Sequence, residues 1–114
     1  MQPNPPTRGW RNAPIEGTED WYEVTGVYDL IEYEWNELLA WYSPSERRYF
    51  WIHEGGCSCD SIDMYMESKS DFESGSRADL VRAVRNFCDN AYDLPANEKA
   101  DAVASVMRFK EPAK

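Results

Sequence analysis

Between Asp20 and Ile31 the side chains alternate. Tyr22, Val24, Gly26, Tyr28 and Leu30 fall on one side, and Trp21, Glu23, Thr25, Val27 and Asp29 on the other. A period of two is the signature of a half-buried strand, and Gly26 within it marks a bulge or a close backbone approach. Tyr33–Tyr42 fits two periods. Trp35, Leu38, Leu39 and Tyr42 suit a helix, whereas Tyr33, Trp35, Leu39 and Trp41 suit a strand with Glu37 as the misfit. The aromatic content favours the strand, with a bulge near Asn36-Glu37 to accommodate the glutamate. Ser43-Pro44-Ser45-Glu46 then reads as a turn, with Pro44 at its second position. Arg47–Glu54 is apolar on both sides, Tyr49 and Trp51 on one and Phe50 and Ile52 on the other. That is the pattern of a strand covered on both faces, so it belongs at the centre of an antiparallel meander. Gly55-Gly56 ends it, and Cys57-Ser58-Cys59 forms a corner. Ile62, Met64 and Met66 alternate as a short edge strand or an extended crossing, and Glu67–Ser76 is polar loop.

After Ser76 the period lengthens. Ser76 with Asp79 is a capping pair, and Leu80, Val81, Val84, Phe87, Cys88 and Ala91 form one helical stripe. The helix is expected to stop near Asp93-Leu94, ahead of Pro95. Pro95 opens a second helix with an inner stripe of Ala96, Ala100, Val103, Ala104 and Met107. The start of the chain differs: Pro3, Pro5, Pro6 and Pro14, with Gly9 and Gly17, deny it both helix and central strand. Residues 1–18 are therefore expected to be a flexible proline-rich arm, with Trp10 placed to dock on the body. A single domain follows over 19–109, and 110–114 is a frayed tail. The pattern predicts an α+β fold: a three- to four-stranded antiparallel sheet with two C-terminal helices packed on one face. The other face is left free in this reading.

Composition narrows the class. A chain of 114 residues with 42% hydrophobic and 29% charged side chains suits one folded domain. No apolar run approaches the roughly 18 residues a membrane span needs, and the opening Met-Gln-Pro-Asn-Pro-Pro lacks the pattern of a secretory leader. Three cysteines are too few and too odd in number for a secreted disulfide scaffold. The expected location is cytoplasmic. The net charge is -9 and unevenly spread. Asn12–Ser76 holds 15 acidic residues against three basic ones, while the remainder is nearly neutral. Such a field disfavours nucleic acid and anionic membrane and favours a basic protein partner or a cation.

Candidate chemistry is sparse. His53, Cys57, Cys59 and Cys88 are the residue types of a zinc site. Against this, Cys-x-Cys is tighter than the usual ligand spacing, and Cys88 lies on an apolar helical stripe where a free cysteine packs as a small hydrophobe. Reduced thiols at the corner are the simpler expectation. Glu54 and Asp60 beside Cys57 and Cys59 raise a thiol pKa, which disfavours thiol exchange. His53 beside a cysteine lacks a nameable orienting group and oxyanion hole. Asp60, Asp63 and Glu67 lack the glycine-centred loop of an EF-hand site. No catalytic residue, and no cofactor, is assigned.

Tyr33-Glu34-Trp35-Asn36-Glu37-Leu38-Leu39-Ala40-Trp41, Arg48-Tyr49-Phe50-Trp51, Gly56-Cys57-Ser58-Cys59 and Asp71-Phe72 follow one another in an order that resembles a family of small uncharacterised proteins from phages of actinobacteria. The resemblance covers residues 20–92. It implies a phage origin, and so a place in the cytoplasm of the infected cell, and a fold pattern, but no activity, and Asp60-Ser61 departs from the proline and acid that often follow the second cysteine there. The expected function is thus that of a non-enzymatic phage accessory protein. It would bind a host or phage protein through an acidic, aromatic surface carrying Trp21, Tyr33, Trp35, Trp41, Glu34 and Glu37. The alternatives are a DNA mimic that inhibits a nucleic-acid-binding host or defence protein, and a zinc-stapled structural module.

Overall fold

The computed structural model describes residues 1–8 and 12–113; Trp10, the expected docking residue of the arm, lies outside them. Three ten-residue strands, β1 (Tyr22–Ile31), β2 (Glu34–Ser43) and β3 (Arg48–Cys57), form an antiparallel meander. A three-residue strand β4 (Glu73–Gly75) closes it in the order β1-β2-β3-β4. The helices α1 (Arg77–Asp89) and α2 (Ala96–Arg108) follow. The fold is α+β, with the ambiguous Tyr33–Tyr42 segment in a strand, as its rings favour.

Two hairpins set the register. The first turns at Glu32-Tyr33, with Glu32 at φ 54° in the left-handed region. The second turns at Pro44–Arg47, where Ser43 Oγ accepts from Glu46 N at 3.3 Å. No bulge occurs at Asn36-Glu37: both residues stay in unbroken register with Asp29 and Tyr28 on one side and Gly55 and Glu54 on the other. The irregularity lies instead between Glu23 and Thr25. The extra residue there reverses the alternation, so Trp21 and Val27 lie on opposite faces of the sheet. Gly26 answers to the other expectation, a close approach, since a Cβ on it would lie 3.0 Å from Leu39 Cδ2.

One face packs on the helices. Val27, Leu38, Ala40, Tyr42, Tyr49 and Trp51 meet Leu80, Val84, Phe87 and Cys88 of α1 and Ala102 and Val106 of α2. Ser76 and Asp79 form the expected capping box. Helix α1 stops at Asp89, earlier than the proline alone demands, because buried Asp29 accepts from Tyr92 N at 2.8 Å and Asp93 N at 3.0 Å. The loop is thereby held to the sheet. In α2 the inward residues are Ala102 and Val106, with Val103 partly buried, and Met107 is exposed. Alanines contribute little to choosing a face, so Arg77 and Phe109 at the helix end decide it. Arg77 Nη1 donates to Val106 O at 2.6 Å and Phe109 O at 2.8 Å, while Phe109 packs on Tyr42 and Tyr49.

The second face, expected to be free, is covered. Ile15 and Trp21 from the N-terminal segment and Ile62, Met66 and Phe72 from the β3–β4 connection bury Trp35, Trp41, Phe50 and Ile52. Trp21 stacks on Phe50 at 4.3 Å, and Phe72 sets its edge against Trp21 and Trp41 at 5.2 and 5.6 Å. Pairs of this kind contribute about 0.5–1.5 kcal/mol each beyond area burial. The arm is extended, as its prolines require. Asn4 N donates to Trp21 O at 2.9 Å, Ile15 N donates to Pro6 O at 3.0 Å, and Asn4 O accepts from Trp41 Nε1 at 2.9 Å. The Ile62–Met66 segment is no edge strand: it forms a 3-10 turn at Ile62–Tyr65, and a second turn lies at Lys69–Asp71.

Candidate partner surface

The end of the sheet at the β1–β2 turn gathers what the cores leave out. Tyr28 and Leu30 point from β1 to the second face and remain half-exposed, and Tyr33 at the turn is 76% exposed. Leu30 sits opposite Trp35, whose ring lies 6.4 Å from that of Tyr65. Tyr65 and Met64 from the first 3-10 turn extend the patch. Acidic residues surround it: Glu32 and Glu34 flank Tyr33, Glu37 pairs across with Tyr28 and Glu54, and Asp60 and Asp63 come from the connection. Burial pushes the Glu37 carboxyl above the usual carboxylate range, and the Asp63 charge adds to the effect.

The Gly-Cys-Ser-Cys corner supports this end. Strand β3 runs through Gly55 and Gly56 to Cys57 instead of ending at Glu54, because β2 supplies partners along its whole length. Asp60 N donates to Cys57 O at 3.1 Å, turning the Asp60 carboxylate onto Gly56, where a Cβ would collide with it. That carboxylate accepts from Trp35 Nε1 at 2.9 Å and from Tyr65 Oη at 3.1 Å; Cys57 O accepts from the same indole at 2.8 Å. The hydrogen bond to Asp60 pushes the Tyr65 phenol pKa up. The motif thus anchors a buried tryptophan and aims an exposed tyrosine. Cys57 and Cys59 are joined in a disulfide, not held as reduced thiols.

The residues named from sequence separate into two groups. Tyr33 and Glu37 belong to the surface just described, and Glu34 borders it at the turn, in phase with the helix-side residues of β2. Trp21, Trp35 and Trp41 are buried, at 0%, 3% and 5% exposure, because the arm and the β3–β4 connection lie over them. The zinc candidates do not meet. Two sulfurs are bonded to each other, and Cys88 lies in the helix-side core with its pKa raised by burial. His53 sets its ring edge-to-face on Phe87 at 4.9 Å. Among the described residues no group of three or more His, Cys, Asp or Glu could hold a metal ion. Asp60 is engaged by Trp35 and Tyr65, and Asp63 by the Ser61 hydroxyl. Tyr28, Leu30 and Tyr65 escaped the sequence reading. The first two sit in an alternation whose outward side cannot be told until the bulge is placed. Tyr65 is out of phase with the apolar residues around it.

Among the described residues no helix is long and apolar enough to cross a membrane. Compared with known proteins, residues 22–112 match a family described as Domain of unknown function (DUF7574). No curated protein and no solved structure matches the chain.

Proposed function

We propose that this chain, which belongs to the DUF7574 family of domains of unknown function, is a non-enzymatic protein-binding module that docks a basic protein on the acidic, aromatic end of its sheet. The observation that carries the reading is Tyr33, 76% exposed at a two-residue turn between Glu32 and Glu34, beside half-exposed Tyr28 and Leu30. Exposed rings on a rigid hairpin supply contact area at little entropic cost, and surrounding carboxylates steer and orient a cationic partner. A DNA mimic needs regularly spaced carboxylates, and here they are interleaved with apolar side chains. The resemblance carried by Gly56-Cys57-Ser58-Cys59 supports an accessory role in a phage of actinobacteria, acting on a host or phage protein in the cytoplasm of the infected cell. In that reducing compartment the exposed Cys57–Cys59 bond would open to thiols. The corner would then rest on the Asp60 hydrogen bonds, which involve no sulfur.

The test compares the wild-type chain with a Tyr33→Ser/Glu34→Lys double variant in a pull-down from host lysate, at low and at high salt. The expected result is a partner held by the wild type at low salt, released at high salt, and bound about 30-fold more weakly by the variant. That is the effect of losing an anchor of about 2 kcal/mol. Equal retention by both proteins would overturn the reading.

A further inference from the structure

The sheet has two edges: β1 on one side, and on the other β4 together with Ile52–Cys57 of β3, which β4 leaves unpaired and which lies against the Ile62–Tyr65 turn. Strand β4 offers three residues and runs directly into α1. Strand β1 pairs with β2 alone. Among the described residues the arm closes its beginning, where Asn4 N donates to Trp21 O at 2.9 Å and Asn4 Nδ2 to Glu23 Oε2 at 2.7 Å. From Thr25 to Ile31 no other strand pairs with this edge among the described residues.

The direction of the free backbone groups follows from the hairpin. Ile31 and Glu34 flank a two-residue turn, so they exchange hydrogen bonds, as do the alternate pairs Asp29–Asn36, Val27–Leu38 and Thr25–Ala40. Gly26, Tyr28 and Leu30 therefore turn their N–H and C=O groups away from β2, toward the open edge. Protein edges are usually blunted by lysine, proline or a bulge. Thr25–Ile31 contains neither residue, and the bulge lies before it.

We propose that this edge takes up an extended segment of a basic partner protein as a fifth strand. The sequence such a segment needs can be read from the two sides of the edge. On the helix side a groove of about 320 Å³ runs between β1 and α2, lined in part by Glu98, Asp101 and Ser105. Lysine or arginine at alternate positions of an added strand fits there. On the other side Tyr28 and Leu30 are half-exposed and take apolar residues at the intervening positions. A second copy pairing edge to edge with its helices on the same side would set its own Glu98 and Asp101 beside this groove, so charge selects a basic partner over self-pairing. Backbone pairing gives the affinity and the alternate side chains the specificity. This inference rests on the protein-binding reading above and names the mode and partner chemistry for it.

The probe is the peptide Lys-Val-Lys-Val-Lys-Val-Lys, with two twins N-methylated at either the lysine or the valine nitrogens. Binding is followed by amide shifts and hydrogen exchange of the full chain. The expected result is protection of the Gly26, Tyr28 and Leu30 amides by the parent peptide. One twin should lose at least tenfold in affinity while the other retains it, since only alternate nitrogens face β1. A Glu98→Lys/Asp101→Lys variant, changed at two exposed helix positions, should prefer the Glu-Val analogue instead. The proposal is overturned by no binding of the parent, by equal binding of both twins, or by an unchanged preference in the variant. Any of these, with the Tyr33/Glu34 pull-down still positive, removes the strand addition and leaves the docking surface standing.

Discussion

Glu37 lies in the strand face of Trp35, Leu39 and Trp41, under the connection that carries Asp63. No bulge carries it outward, so its carboxyl is partly desolvated and its pKa raised. A carboxyl whose folded pKa exceeds its unfolded value favours folding only in the protonated form, and that contribution is lost as pH rises through the folded pKa. Ionised Glu37 thus opposes folding at neutral pH. Glu37→Gln is expected to stabilise the chain at pH 7 by less than about 1 kcal/mol, because solvent screens a half-buried group. The gain should shrink toward zero as pH falls below the carboxylate range, as measured by urea unfolding across pH. A gain that persists at low pH would point to packing instead of charge. The misfit was legible in the sequence, but its resolution was not, since alternation alone cannot distinguish a bulged residue from one held under a crossing segment.

At the scale of elements, the junction of α1 and α2 depends on one arginine. Arg77, at the start of α1, donates to Val106 O and Phe109 O at the end of α2, pairs with Glu111 at 3.0 Å and lies over the Tyr49 ring. Glu111 also accepts from Tyr49 Oη at 2.7 Å; burial, then this hydrogen bond, push the tyrosine pKa well up. Carbonyls at the end of α2 accept here from a cation, which also suits the helix dipole. Arg77→Ala should therefore cost about 2 kcal/mol, as hydrogen bonds from a charged donor are lost. Arg82→Ala, whose exposed pair with Asp79 lies within one helix turn, should cost less than about 0.5 kcal/mol. Urea denaturation of the two variants checks the contrast. The capping box of α1 was readable because it is local. The face of α2 was not, because alanines leave its stripe weak and the deciding contacts come from Arg77 and Phe109, distant in sequence from one another.

For the molecule as a whole, the sheet is a middle layer between two cores, one closed by helices and the other by irregular chain. Removal of residues 1–17 takes away Ile15, Pro6 and the Asn4 carbonyl that accepts from Trp41. It should uncover Trp21 and Trp41 and destabilise the fold by about 3 kcal/mol or more, from lost apolar burial and one unmade hydrogen bond. The measurements are the thermal midpoint and the emission of the remaining tryptophans, which should shift to the red. An unchanged midpoint and emission would show the arm to be dispensable. Covering the second face also moves the exposed rings from the middle of the sheet to its hairpin end, where the proposed docking surface lies.

The α+β class, the meander of three long strands and the position of α1 follow from the chain's own pattern. Period, turn residues and caps act between neighbours in sequence, so they survive without knowledge of the fold. The cover over the tryptophans, the short β4, the inward side of α2 and the surface around Tyr33 were decided only by the tertiary structure. Each depends on segments far apart in the chain, brought together by burial, which acts on any sufficiently apolar surface and leaves no periodic trace. A single extra residue between Glu23 and Thr25 then settled which side of β1 faces the helices and which side leaves Tyr28 and Leu30 half-exposed.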